Sequence, residues 1–131
     1  MPLVPLTIRK KSPVREIVPT RVLVVDDEPL IQWSLSTALA AAGFDPICAR
    51  SALDARRLAS EWPPPRVAII DVWPGGDVHE LVDAIRSIYP PCTFIVMSTD
   101  GGDGDAAGVI TLRKPFDLTE VVRLVRQSTA A

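Results

Sequence analysis

The sequence predicts an α/β fold, a parallel sheet wound on both faces by helices. Three observations predict it: short runs that are apolar throughout, segments of helical period between them, and polar residues where the runs end. Strands covered on both faces read as unbroken apolar runs rather than alternating ones, and strands that alternate with amphipathic helices give a doubly wound sheet.

Residues 22–25 (Val-Leu-Val-Val) form the first such run and stop at Asp26 and Asp27. From 29 to 42, Ile31, Leu35, Ala38, Leu39 and Ala42 share one helical face, with Pro29 in the first turn, where its missing N–H costs nothing, and Gly43 as the stop. Residues 45–49 are a short strand candidate. Ser51 and Asp54 have capping spacing for a helix to about Glu61, ended by Pro63, Pro64 and Pro65. Residues 67–72 are a second buried-strand run that contains Asp71. Pro74, Gly75 and Gly76 then turn the chain into a helix bearing Leu81, Val82, Ile85 and Ile88. Residues 94–97 give a fourth strand closed by Ser98, and 109–112 give a fifth. Asp117 and Glu120 are spaced as a capping box for a last helix with Leu118, Val121, Val122 and Val125 on one face.

At 131 residues, 47% hydrophobic and 23% charged, the chain has the length and composition of one globular domain. Its apolar runs are strand-sized, far short of the roughly 20 residues of a membrane helix. No apolar run with a cleavage site follows the basic residues near the start, so the expected location is cytoplasmic. Residues 1–20 carry Pro2, Pro5, Pro13 and Pro19 without periodicity and read as a basic extension, with the folded domain over 21–131. The extension is +3 in a chain of net −2, which leaves −5 for the remainder. An acidic body without a helix-turn-helix pattern argues against direct nucleic-acid binding. Cys48 and Cys92 lack metal or redox spacing and read as structural thiols.

In a doubly wound sheet, sites lie at the carboxyl ends of the strands. Those ends carry Asp26, Asp27, Asp71, Ser98 and Lys114. An acid at one strand end is most often a cap or a solvated turn residue. Three converging on one edge instead repel each other and raise their own pKa values unless a cation compensates, and hard oxygen ligands with room for water favour Mg²⁺.

The segments Val-Leu-Val-Val-Asp26-Asp27-Glu28-Pro29, Ala-Ile-Ile-Asp71, Val-Met-Ser98 and Lys114-Pro115-Phe116 resemble the markers of bacterial response-regulator receivers over about residues 21–128, and the separation of 44 residues between Asp27 and Asp71 suits that family. The resemblance implies a flavodoxin-like sheet of five strands in the order 2-1-3-4-5. It implies a phosphoacceptor rather than an enzyme, with at most slow self-dephosphorylation. Asp71 would take a phosphoryl group from a sensor histidine kinase or phosphotransfer protein in a Mg²⁺-dependent relay. Asp26, Asp27, Asp71 and the backbone carbonyl of Trp73 would hold the ion, while Ser98 and Lys114 would contact the phosphoryl group. The Lys114–Pro115 bond would be cis. A downstream protein effector would read the signal, with no output domain in this chain and a homodimer left open.

The chain departs from that pattern between Ser98 and Lys114, where only 15 residues intervene. The Gly/Asp-rich stretch from Asp100 is a poor helix former, so the fourth helix is expected to be shortened or missing. Thr111 stands where the family commonly has an aromatic switch residue, which shifts the expected response to order and disorder in 100–108. The loop after Asp71 looks one residue short. The Asp/Gly run lacks the spacing and closing Glu of a calcium loop. His79 has no companion ligand and reads as a surface residue, and Trp33, off the apolar face of its helix, is a candidate interface residue. Two rival functions are a phosphorylation-independent binding module of the same fold and an aspartyl-phosphate phosphatase, the latter lacking its Asp-x-Asp signature.

Overall fold

The computed structural model describes residues 18–72, 77–99 and 108–130. Among these residues the elements run β1 (Arg21–Val25), α1 (Pro29–Ala41), β2 (Asp45–Ala49), α2 (Ala52–Ala59), β3 (Val67–Asp71), α3 (Val78–Ile88), β4 (Thr93–Ser98), β5 (Val109–Arg113) and α4 (Leu118–Thr129). The five strands form one parallel sheet in the order β2-β1-β3-β4-β5. The expected α/β class and strand order are therefore present. The expected loss of a helix between β4 and β5 concerns residues 100–107, which lie outside the described residues.

Side chains alternate across a strand, so each central strand feeds two cores at once. Val22, Val24, Val67, Ile69, Ile95 and Met97 face α1 and α4, meeting Leu35, Leu39, Val121 and Val125. Leu23, Val25, Ala68, Ile70, Phe94 and Val96 face α2 and α3, meeting Ala55, Ala59, Leu81, Val82 and Ile85. This two-sided burial is why β1, β3 and β4 are apolar almost without interruption. Among the described residues, no helix is long and apolar enough to cross a membrane.

Local signals set most element ends. Ser51 accepts from the Asp54 N–H at 3.1 Å, as its spacing predicts. Asp77 caps α3 in the same way through the Glu80 N–H at 3.0 Å, a cap the sequence reading did not pick out. Asp117 caps α4, but its carboxylate accepts from the Thr119 N–H at 2.9 Å, and Glu120 pairs with Arg123 instead of closing a capping box. An N-cap carboxylate can accept from either of these N–H groups, and a guanidinium three residues along the helix competes for the Glu. The second helix stops at Ala59, two residues before Glu61. Cys92 is buried and its thiol is pushed up to about 12, chiefly by loss of solvent, while the Cys48 Sγ lies 2.9 Å from the Ser36 Oγ. Both thiols sit in the packing, as expected of structural residues.

Gly43 ends α1 at φ 95°, and nothing lies within 4 Å of where its Cβ would be. A substitution there tests backbone strain without a clash. Gly43→Ala should lower unfolding free energy by about 1 kcal/mol, with Gly43→Asn costing less, because Asn tolerates the left-handed region. Urea denaturation of the three proteins measures this, and an Ala variant as stable as the parent would contradict it.

Candidate metal and phosphoryl site

Strand order reverses between β1 and β3, because β1 leads to β2 on one side and the chain returns through β3 on the other. That switch leaves a crevice at the carboxyl ends of the two strands. Asp26 and Asp27 follow β1 directly, and Asp71 is the last residue of β3. Oxygen atoms of the three carboxylates lie within 4.8 Å of one another. Asp26 and Asp71 are buried, at 2% and 7% exposure, while Asp27 is open to solvent.

Lys114 reaches the cluster from the end of β5 and ion-pairs with Asp71 Oδ1. Its backbone N–H donates to the Ser98 carbonyl at 2.8 Å, which ties the end of β5 to the end of β4. The Lys114–Pro115 bond is cis, as the resemblance implied. Ser98 is buried at 2% exposure and closes β4, the strand beside β3. The four strand ends invoked from the sequence alone, those of β1, β3, β4 and β5, thus bring Asp26, Asp27, Asp71, Ser98 and Lys114 to one edge of the sheet. Trp73, whose carbonyl the resemblance adds to the metal shell, lies outside the described residues, as does the loop after it.

Burial raises the Asp26 carboxyl above the ordinary carboxylate range. The Glu28 N–H, which Asp26 Oδ1 accepts at 2.9 Å, and the Lys114 ammonium pull it back, while the Asp71 and Asp27 carboxylates push it further up. Among the described residues one ammonium faces three acids, which leaves the cluster short of positive charge, and its donor atoms are all hard oxygens. That donor set fits Mg²⁺, which binds through a few carboxylates and keeps several waters; exposed Asp27 leaves an open side for them.

Beside Lys114 opens a groove of about 530 Å³ lined by Glu28, Ile31, Ser34, Thr99, Pro115, Phe116 and Leu118. Trp33 and Leu30 are two-thirds exposed on the same helix, α1, as Ile31. His79 is exposed at the start of α3, as read from its isolation in the sequence. Gln32 was not singled out by sequence reasoning, yet its amide reaches the backbone behind Asp26. Its signal was faint: a polar residue off the apolar stripe of an amphipathic helix ordinarily faces water.

The chain is 34% identical over 122 residues to the transcriptional regulatory protein KdpE of Mycobacterium tuberculosis, covering 86% of this chain and 54% of that protein. The chain therefore spans about half the length of this relative. Among solved structures, the two component transcriptional regulator AraC from Clostridium phytofermentans ISDg superposes with a TM-score of 0.72 at 32% identity, over 83% of this chain and 90% of that one. The chemotaxis protein CheY4 of Vibrio cholerae superposes with a TM-score of 0.74 at 26% identity, over 85% and 99%. No protein-family model matches the chain.

The raised Asp26 carboxyl has a consequence for stability. The folded, metal-free chain holds that proton more tightly than the unfolded chain does, so the stabilising contribution is complete below the ordinary carboxylate range. It is lost as pH rises through the raised value. With a chelator present, Asp26→Asn should therefore melt higher than the parent at pH 7, by on the order of a few degrees, and the gap should close toward pH 4. Calorimetry across pH measures it, and a parent that outlasts the Asn variant at pH 7 without metal would contradict it.

Proposed function

Because the chain belongs to the bacterial response-regulator receiver family, we propose that it accepts a phosphoryl group on Asp71 and passes the signal on through protein contacts. The observation that carries this reading is the convergence of three carboxylates, a lysine and a serine on one sheet edge, with Lys114 paired to Asp71.

In the proposed reaction, an Asp71 carboxylate oxygen attacks phosphorus. A P–O bond forms while the P–N bond of a donor phosphohistidine breaks, and its electron pair leaves with the imidazole. Mg²⁺ held by Asp26, Asp27 and Asp71 would neutralise charge on the phosphoryl oxygens. Lys114 adds a fixed positive charge next to the nucleophile, and the Ser98 hydroxyl donates to a phosphoryl oxygen. Burial of Asp71 makes each of these interactions stronger than it would be in water. The product is an aspartyl phosphate, so the chain acts as a stoichiometric acceptor. The donor would be a sensor histidine kinase or phosphotransfer protein and the reader a downstream effector. Exposed Leu30 and Trp33 and the groove beside Lys114 offer the donor an apolar footing next to the site. A receiver-like module that binds partners without phosphorylation is the second reading, favoured by Thr111 on β5, which lacks a ring to rotate.

Incubation with acetyl phosphate and Mg²⁺, followed by intact-mass analysis, separates the two readings. The parent should gain the mass of one phosphoryl group, Asp71→Asn should gain none, and Lys114→Ala should react roughly a hundredfold more slowly. Modification of Asp71→Asn at the parent's rate would overturn the assignment, and an unmodified parent would favour the second reading.

A further inference from the structure

Asp26 and Asp27 stand in a connection of three residues between β1 and α1, with Glu28 as the third. Short polar connections open to solvent are ordinarily mobile, and a metal site built on one needs its ligands held from behind. Gln32, in the first turns of α1, supplies such a hold. Its Nε2 donates to the carbonyl of Asp26 and lies 3.3 Å from the carbonyl of Ala49, the last residue of β2. The Ala49 carbonyl also accepts from the Asp26 N–H at 3.0 Å. Both neighbours of the amide nitrogen are acceptors, so the nitrogen and not the amide oxygen must face them, and both its hydrogens are used.

Asp26 is thereby fixed at three points: its N–H on Ala49, its carbonyl by Gln32, and its carboxylate by the Glu28 N–H. The peptide that joins Asp26 to Asp27 is planar, so fixing the Asp26 carbonyl also fixes the nitrogen and Cα of Asp27. One neutral side chain thus sets the bearing of two of the three carboxylates without touching either carboxyl group. It does so from α1, a helix locked to the sheet through Leu35 and Leu39.

We propose that Gln32 is a positioning residue for the cation site, holding the Asp26–Asp27 peptide in the orientation that aims both carboxylates at Mg²⁺. This rests on the reading of the acidic cluster as a Mg²⁺ site. Without the two donors, the connection gains alternative orientations, and the cation must select the competent one at the expense of affinity.

The test is calorimetric titration of Mg²⁺ into the full chain and two variants, with thermal melting in chelator as a companion measurement. Gln32→Met keeps the length and neutrality of the side chain and removes the donors. Gln32→Glu keeps the shape, sets acceptors against two carbonyls, and adds a negative charge that by itself would tighten cation binding. Orientation predicts weaker binding in both, by roughly tenfold, in variants that still melt cooperatively in chelator. A Met variant within twofold of the parent, or a Glu variant that binds more tightly than the parent, overturns the inference while leaving the metal site intact. A parent that does not bind Mg²⁺ at all overturns the inference together with the reading beneath it.

Discussion

Three carboxylates within 4.8 Å of one another, two of them buried, are the constraint around which this end of the molecule is built. Like charges so close are costly out of water, and among the described residues a single ammonium offsets only one of them. The fold accepts that cost because the strand ends leave no alternative. β1 and β3 are neighbours, their residues are in register from Val22 with Val67 to Val25 with Ile70, and whatever follows them must meet. Shifting either strand by one residue would turn its apolar side chains from one core to the other, so the packing that stabilises the sheet also enforces the charge cluster.

The surroundings of the cluster divide the work. The Glu28 N–H and Lys114 favour the ionised form of Asp26 from within, and the N–H of Lys114 on Ser98 keeps the end of β5 beside β4. Gln32 and Ala49 hold the backbone of the β1–α1 connection from behind. Among the described residues positive charge is supplied only in part, which suits a site proposed to take up a divalent cation and then a dianionic phosphoryl group. Had a second cation balanced the acids permanently, the site would have had less need of either.

Much of this was legible in the sequence because each feature has a local cause. Continuous apolar runs at 22–25 and 67–70 reveal strands covered on both faces, and their polar terminators reveal the site, since in this architecture a strand's end and a crevice are the same place. Ser51 announces a helix start because its hydroxyl needs only the N–H three residues on. The less legible features depend on competition or on distant partners. Asp117 has two N–H groups within reach and takes that of Thr119, while Glu120 is drawn away by Arg123. Gln32 finds a carbonyl 17 positions away in β2, which no spacing rule along α1 foretells. The stretch at 100–107 and Trp73, which bear on the switch and on the metal shell, lie outside the described residues.

The central claim is that the acidic cluster is completed by a divalent cation, and linkage makes that claim measurable on the unmodified chain. If the folded state binds Mg²⁺ and the unfolded state does not, unfolding free energy at pH 7 must rise with Mg²⁺ once its concentration exceeds the dissociation constant, by about 1.4 kcal/mol for each tenfold increase. Urea denaturation over a Mg²⁺ series, at ionic strength held constant with sodium chloride, provides the reading. That slope is the predicted result; a stability unmoved by Mg²⁺ beyond what sodium alone produces would contradict the account.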